Sequence, residues 1–222
     1  MSGIVNTALI ASGTGSDAES IIKAYINGFI PEIDLKYLIS TKKDAGCIKM
    51  AEDNHITTTV IDCPNTTDGN FSFNNILSDT LSSSRVQLVF LVGCIKQVAL
   101  IRGIDFYNIH PADPIAHGGK GMYGLDVHEH VLASIKDRLT RKMALPESSF
   151  YTYPTVHRVD ADLDTGPMLL RAKVQIPGEI ISKLNEDEDI SQLASELQQH
   201  VLPYEWIMLP SAVRMAAHNV LY

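Results

Sequence analysis

The sequence predicts an α/β fold with an open, mostly parallel twisted sheet and helices on both faces. Short β-rich segments alternate with helical patterns through the first 83 residues, the βαβαβα order typical of parallel sheets. Residues 86–92 are apolar except for Gln87, as expected of a central strand covered on both faces. Residues 106–110 form a further short β pattern that ends at Pro111. In such sheets, ligands bind beyond the carboxyl ends of the strands.

The first half of the chain supplies most of the expected sheet. Its β-rich segments predict strands at 7–12, 35–40, 57–61 and 86–92. Its helical patterns predict helices at 18–27, 45–54 and 73–83. Gly93 ends the apolar segment and marks the start of a loop.

The second half begins with the strand at 106–110 and continues through a glycine-rich loop, 118–124, into a helix at 125–137. Two strands are expected at 151–160 and 168–175, joined by a turn that contains Asp164. The segment 190–217 has a helical pattern, which we expect to be interrupted at Pro203 and Pro210.

Length and charge limit the function classes. At 222 residues the chain suits a single domain, and no apolar segment approaches the roughly 20 residues that span a bilayer. A net charge of −8 argues against a nucleic-acid partner, because such proteins need a basic surface to neutralise phosphates. The three cysteines, an odd number without metal-binding spacing, favour reduced thiols. We therefore expect a cytoplasmic protein without membrane or nucleic-acid partners.

A glycine-rich turn follows the first strand and opens the first helix. Its backbone amides and the helix N-terminus could hold a phosphate; its residues are Gly13, Thr14, Gly15, Ser16 and Asp17. A tight turn with Ser16 or Asp17 as a helix cap is the purely structural alternative. The turn also fits a dinucleotide-binding pattern, but the second strand lacks the acidic residue that would bind a ribose. A dehydrogenase-type or non-catalytic nucleotide-binding domain is thus the alternative from another class, and it predicts binding of a nicotinamide cofactor.

Asn108, His110 and Asp164 are the candidate catalytic residues. Alternation along a strand points Asn108 and His110 to the same side. An amide donor beside an imidazole can stabilise an oxyanion, and imidazole also acts as a general acid or base. Asp164 lies in a turn where Asp is common for local reasons, but next to His110 it would raise the imidazole pKa and orient a water. The sequence alone leaves that assembly open.

Other catalytic patterns are missing from the sequence. His128-Glu129-His130 lacks the i, i+4 spacing that places two histidines on one helical face, so no metal is expected. No serine lies in a G-x-S-x-G elbow, which leaves a hydrolase triad unsupported.

Taken in order, these motifs resemble the glycinamide ribonucleotide formyltransferase family of folate-dependent enzymes. The resemblance covers most of the chain, and Asn-x-His-Pro and Leu-Asp-x-Gly-Pro are its most specific motifs. The segments that carry it are 11–16, 91–96, 108–111, 118–124, 127–129, 156–160 and 163–167.

The resemblance implies a Rossmann-like formyltransferase fold over residues 1–222, with a nucleotide- and phosphate-binding half, 1–100, and a catalytic and folate-binding half, 101–222. It implies formyl transfer from 10-formyltetrahydrofolate, the co-substrate, to a small amine, without a metal. Asn108 and protonated His110 would stabilise the oxyanion, while Asp164 keeps His110 charged and fixes a proton-carrying water. The folate would contact Ile95, Lys96, Gln97, Val98, Val159, Asp160 and Asp164. The amine substrate would contact Gly13, Thr14, Gly15, Ser16, Asp17, Gly93 and Gln199.

Departures from the family pattern cluster among the residues expected to bind the amine substrate. Thr14 and Asp17 stand where Asn is usual, Gln199 replaces an acid expected at the substrate ribose, and Asp126 stands where His is common. A carboxylate beside a phosphate would be repulsive by about 1 kcal/mol or more unless Asp17 turns away to cap the helix.

Glycinamide ribonucleotide, in purine biosynthesis, is the expected amine, because we expect no RNA-binding domain of the kind a tRNA formyltransferase carries. Another small amine, such as an amino sugar nucleotide, is the first alternative, and hydrolysis of formyltetrahydrofolate is the second. The remaining partners are expected to be small molecules, with the chain acting as a monomer or homodimer.

Overall fold

The structure is a computed structural model that describes residues 3–64, 66–141, 150–186 and 188–222. Its strands are β1 (Val5–Ala11), β2 (Ile33–Ser40), β3 (Thr58–Val60), β4 (Leu88–Leu91), β5 (Asp105–His110), β6 (Tyr151–Thr152), β7 (Thr155–Arg158), β8 (Met168–Arg171) and β9 (Val174–Gln175). Its helices are α1 (Ser16–Ile26), α2 (Gly46–Asp53), α3 (Thr67–Ser83), α4 (Pro114–His117), α5 (Leu125–Thr140), α6 (Gly178–Asn185) and α7 (Ile190–Leu221).

The main sheet has the strand order β3-β2-β1-β4-β5-β7-β8. The five strands from β3 to β5 are parallel, and β7 and β8 join as an antiparallel edge. The prediction of an open, mostly parallel sheet is therefore confirmed. The order runs outward in both directions from β1 and β4, so the loops after β1, β4 and β5 open on one edge of the sheet.

Alternating side chains of the central strands pack into two separate hydrophobic cores, one on each face of the sheet. On β1, Leu9 packs in the layer that contains α1, α2 and the second half of α7. The next residue, Ile10, faces the opposite layer with Phe73 of α3. Period-two alternation with both faces apolar is the pattern of a strand covered by helices on each side. A further cluster joins α5, α6 and the first half of α7.

The predicted interruption of the last helix is wrong. α7 runs unbroken from Ile190 to Leu221 with Pro203 and Pro210 inside it. Each proline lacks a backbone N–H and therefore removes one helical hydrogen bond, which is why the local sequence predicts a break. Buried residues on both sides of the prolines, such as Leu197 and Ala212, hold the helix against two different cores, so tertiary packing outweighs that local cost.

The two late strands are also shorter than predicted. The segment 151–160 divides into β6 and β7 at Tyr153 and Pro154, and 168–175 divides into β8 and β9 at Ala172 and Lys173. β6 and β9 pair in a small sheet of their own, while β7 and β8 stay in the main sheet. Short helices α4 and α6 occupy segments for which no element was expected.

No helix within the described ranges is both long enough and apolar enough to cross a membrane.

Candidate functional site

A cavity of about 850 Å³ lies at the carboxyl edge of the sheet. The loops after β1, β4 and β5 form its floor, and the 118–124 loop, the loop before β8 and α7 form its walls. Its size is that of a small-molecule site. A second cavity, of about 470 Å³, lies at the opposite edge near Asn6 and Arg102 and contains none of the predicted site residues.

The first group of side chains in the large cavity is the β5 end, which we define as Asn108, His110, His157 and Asp164. Asn108 and His110 are alternate residues at the end of β5, and both line the cavity as predicted. His157 of β7 is the cross-strand partner of Asn108, and the Asn108 Nδ2 to His157 Nε2 distance is 3.4 Å. The sheet register therefore sets the positions of three of these four side chains.

Asp164 reaches the same place from the turn before β8, where its backbone adopts a φ of 59°. One carboxylate oxygen, Oδ2, accepts a hydrogen bond from the backbone N–H of Gly119 at 2.9 Å and lies 4.0 Å from His110 Nδ1. The other, Oδ1, lies 3.5 Å from His157 Nε2. The structure thus brings together the three residues that the sequence could not assemble, and it adds His157.

His110 is 3% exposed, and its Nε2 donates a hydrogen bond to the backbone carbonyl of His117 at 3.0 Å. Burial lowers the pKa of His110, and the opposing effects of Asp164 and the His117 carbonyl do not restore it. Without ligands the imidazole is therefore neutral at pH 7, with the proton on Nε2 and an open lone pair on Nδ1. The expectation of a charged His110 is corrected in this respect, because desolvation outweighs the carboxylate.

The pKa of Asp164 moves in the direction expected of a well-partnered carboxylate. Burial raises this pKa, but hydrogen bonds from His157 and from the Gly119 N–H, together with the electrostatic influence of the two neighbouring imidazoles, lower it below its usual value. Asp164 is therefore ionised at neutral pH.

His128 of α5 is a further buried histidine in the cavity, at 1% exposure. Burial, together with His110, lowers its pKa to about 4, so it is neutral. Its Nδ1 has no hydrogen-bond partner among the described residues. The sequence spacing excluded His128 from a metal-binding pair, and its neutral Nδ1 without a partner makes it a candidate ligand contact.

The residues expected at the folate all line this cavity, from two loops that face each other: Ile95, Lys96, Gln97, Val98, Val159, Asp160 and Asp164. Apolar side chains remain open to solvent here, with Ile95 at 40% exposure and Leu163 at 46%. Exposed apolar groups beside polar main chain suit a flat heteroaromatic ligand.

The second group is the α1 end, which we define as residues 13–17 with Gln199 and Glu205 of α7. Gly15 adopts a φ of 89° and packs so tightly that an added Cβ would lie 2.6 Å from the Cβ of Cys47. No side chain caps α1, which leaves the first amides of the helix open toward the cavity. The alternative that Ser16 or Asp17 caps the helix is therefore wrong.

Every residue expected at the amine substrate lines the cavity: Gly13, Thr14, Gly15, Ser16, Asp17, Gly93 and Gln199. Sequence reasoning missed Glu205, which lines it too and is 4% exposed. The available signal was helical spacing, because Val201, Glu205, Met208 and Leu209 share one buried face of α7. A carboxylate on an otherwise apolar, buried helix face is unusual, and that position indicates a functional group.

Within the described part of the chain, no group of three or more His, Cys, Asp or Glu side chains could hold a metal ion.

Comparisons with known proteins identify the family and the fold. A family model described as formyl transferase matches residues 5–203. A chloroplastic phosphoribosylglycinamide formyltransferase of Vigna unguiculata is 34% identical over 174 residues, which is 76% of this chain and 51% of the relative. The one from Arabidopsis thaliana is 30% identical over 190 residues, 82% of this chain and 60% of the relative. The chain thus spans only about half to three-fifths of the length of these relatives.

Among solved structures, the glycinamide ribonucleotide transformylase 1 of Symbiobacterium toebii matches with a TM-score of 0.72. The two are 22% identical, and the match covers 97% of this chain and 89% of that one. At this identity the likeness shows a shared fold.

Proposed function

The chain belongs to the formyl transferase family, and from this premise we propose that it transfers a formyl group from 10-formyltetrahydrofolate to the amine of glycinamide ribonucleotide, as in purine biosynthesis. The observation that carries the proposal is the β5 end, where an amide, a neutral imidazole and an ionised carboxylate meet in one cavity. The names of the plant relatives support the choice of acceptor.

The β5 end suits the charge that develops during acyl transfer. As the amine nitrogen bonds to the formyl carbon, the carbonyl electron pair moves onto oxygen and forms an oxyanion. In our proposal the Asn108 amide N–H stabilises this oxyanion from the start, and His110 does so once its Nδ1 has taken up the proton that the amine loses. The C–N bond to the folate then breaks, and N10 takes the proton that the amine gives up.

The protonation states of the free site define the roles of the two titratable groups. His110 begins neutral with an open Nδ1, so it can accept the proton that the amine loses. The resulting imidazolium faces Asp164, which is already ionised and stabilises the new charge. The 4.0 Å between Nδ1 and Oδ2 exceeds a direct hydrogen bond and suits a bridging water in the proton path.

The two loops beside the β5 end form the proposed folate site. Ile95 and Leu163 would cover the ring faces, and the main chain of residues 95–98 and 159–164 would satisfy the ring edge. The chemistry of the β5 end requires no metal. The amine acceptor then lies between the formyl group and the α1 end.

The acceptor is the part of the proposal for which alternatives remain. Thr14, Asp17 and Gln199 are consistent with a different small amine, such as an amino sugar nucleotide, because these residues line the cavity where the acceptor would bind. Hydrolysis of formyltetrahydrofolate is the second alternative, since water can occupy the place of the amine.

We also propose a reducing, cytoplasmic setting with small molecules as partners, no nucleic-acid or membrane partner, and a monomer or homodimer. Three free thiols, at Cys47, Cys63 and Cys94, support a reducing compartment. Both plant relatives are described as chloroplastic, so fractionation of the native cell is the test of location.

The function is tested by following loss of the formyl group from 10-formyltetrahydrofolate by absorbance. Parallel reactions contain glycinamide ribonucleotide, no amine, or other candidate amines, and each product is identified by mass. We expect turnover only with glycinamide ribonucleotide. Turnover without an amine would instead make the protein a hydrolase, and turnover only with another amine would change the acceptor.

A further inference from the structure

Glu205 is a buried carboxyl for which the proposed reaction has no use. Its side chain is 4% exposed on α7 and lines the large cavity. It makes no hydrogen bond and no ion pair with any described residue. A carboxyl group in this situation is costly when ionised, so a protein that retains it in a ligand cavity has a group aimed at a ligand or at a proton.

Asp17 meets Glu205 from the first turn of α1. Its Oδ1 is shielded from solvent and has no hydrogen-bond partner among the described residues. A hydrogen bond from the Trp206 side chain reaches the Asp17 carboxyl. The two carboxyl groups, on separate helices, line the same cavity as the first residues of α1, and the charge of Asp17 acts on Glu205.

Burial raises the pKa of Asp17 to about 6, with the Trp206 hydrogen bond acting in the opposite direction. Burial, and then the charge of Asp17, raise the pKa of Glu205 well above its usual value. Adjacent carboxylates that cannot both ionise share a proton and titrate as a unit. The protonated form of Glu205 is therefore favoured, and Asp17 gains its proton as pH falls through about 6.

Charged groups on the surrounding elements have other partners. Those on α1, α2, α6 and α7 form the pairs Glu19–Lys23, Lys49–Asp53, Lys183–Glu196 and Arg214–Glu32. His200 of α7 contacts the Gln175 carbonyl, and Arg171 of β8 lies over the Tyr153 ring. The other titratable groups that line the cavity are Cys94, Lys96, Lys120, Tyr123, His110, His128, His157, Asp160 and Asp164.

We propose that Asp17 and Glu205 form a proton-sharing pair that makes binding of a phosphate-bearing acceptor conditional on uptake of one proton. The inference rests on the proposed function and concerns the same cavity. It also accounts for Asp17, whose negative charge would repel a phosphate bound at the glycine-rich turn. When protonated, the Asp17 carboxyl is a hydrogen-bond donor to a phosphate oxygen instead of a repelling charge.

The proton balance of this step is simple. Above about pH 6 the free Asp17 carboxyl is mostly ionised, and it takes one proton from solvent as the phosphate dianion binds. The α1 amides and the Asp17 hydroxyl then donate to the phosphate, while the Glu205 carboxyl stays neutral. Acceptor affinity must fall as pH rises, by up to about tenfold per pH unit, because one bound proton is linked to one bound ligand.

The experiment is calorimetric titration with glycinamide ribonucleotide at pH 6.5 to 8.5, in two buffers of different ionisation enthalpy, which counts the protons taken up. Wild type is compared with Asp17→Asn and with the double variant Asp17→Asn/Glu205→Gln. The amine and phosphate of the ligand titrate alike in all three proteins, so differences between them report the pair. Glycinamide riboside, which lacks the phosphate, is the matched control ligand.

At pH 8 we expect wild type to take up close to one proton more than the double variant. Relative to that variant, its affinity for the ribonucleotide should weaken at least about tenfold between pH 6.5 and pH 8. The riboside should show no such difference. Asp17→Asn should bind the ribonucleotide more tightly than wild type at pH 8.

Equal proton uptake in wild type and the double variant would overturn the role of the pair. If the formyl-transfer assay still showed turnover with glycinamide ribonucleotide, the proposed function would stand and only this inference would fail. Absence of both binding and turnover would overturn both. Tighter binding of the riboside than of the ribonucleotide at every pH would overturn the phosphate as the linked group.

Discussion

The two ends of the cavity use carboxylates in opposite ways. At the β5 end, Asp164 accepts a hydrogen bond from Gly119 and faces two histidines, and its pKa is lowered. At the α1 end, the partly buried Asp17 and the buried Glu205 line the same cavity without such partners, and their pKa values are raised. Burial acts in the same direction on all three groups, so the partners decide the outcome.

The difference teaches that a carboxylate in this cavity cannot be assigned a charge from its burial alone. The β5 end offers donors before any ligand binds, which keeps Asp164 ionised and ready to stabilise a cation. Among the described residues, Trp206 is the donor that acts on the Asp17 carboxyl, and in our proposal the pair takes up a further proton when a ligand binds. On these proposals, the β5 end carries out the chemistry and the α1 end selects the acceptor.

The largest expected effect comes from removing the oxyanion-stabilising groups of the β5 end. We expect Asn108→Ala and His110→Ala each to lower kcat by roughly 100- to 1000-fold, because each removes a group aimed at the developing charge. His117→Ala is the matched control, since the backbone carbonyl that holds His110 stays in place. Turnover close to wild type in both variants, with the fold intact by circular dichroism, would remove these residues from the mechanism.

Asp164→Asn keeps the shape of the turn and removes the charge. We expect kcat to fall on the order of 100-fold, because the protonated form of His110 loses its carboxylate and its pKa drops further. Asp160→Asn, in the same cavity wall, should alter folate KM more than kcat. If Asp164→Asn changes only KM for the acceptor, Asp164 acts in acceptor binding and not in the chemical step, and the proposed difference between the two ends is wrong.

Backbone spacing at the β5 end gives a third test. A Cβ at Gly118 would lie 2.3 Å from the Pro114 carbonyl oxygen and 2.8 Å from the Cβ of Asp164. Gly118→Ala should displace Asp164 and lower kcat by about 10- to 100-fold, with a lower Tm. Ser134→Ala, on the exposed face of α5, serves as the control. An unchanged kcat would show that the position of Asp164 is less critical than proposed.

The smallest expected effect concerns stability at the α1 end. Raised pKa values mean that the native state binds protons more tightly than the unfolded chain, so stability falls as pH rises from about 4 through 6 and beyond. Glu205→Gln should therefore raise Tm at pH 8 by roughly 2–4 °C, equivalent to about 1 kcal/mol, with little change near pH 4.

Glu196→Gln, on the same helix, is the control for that measurement. Its carboxylate pairs with Lys183 near the surface, so the change in Tm should be small and should not depend on pH between 5 and 8. A Tm of Glu205→Gln that is lower than wild type at pH 8 would mean that Glu205 is ionised and stabilised by a group not recognised here.

Local patterns determined most of the main sheet. Apolar continuity at β4, alternation at β5 and the glycine turn before α1 follow from short-range sterics and side-chain burial, which a sequence displays directly. The same logic placed Asn108 and His110 on one side of a strand end. It failed at Pro203 and Pro210, because the packing that keeps α7 unbroken comes from residues distant in sequence.

By itself, the sequence determined the parallel sheet, the edge where ligands bind and the residue types available there. Only the tertiary structure decided which of those residues meet. Asp164 lies beside His110 although the two are 54 residues apart in the sequence. Glu205, near the C-terminus, interacts electrostatically with Asp17, near the N-terminus. Charge states follow from those meetings, since desolvation and partner charges depend on three-dimensional neighbours. Thus the neutral His110 and the raised pKa values at the α1 end could not be foreseen from sequence.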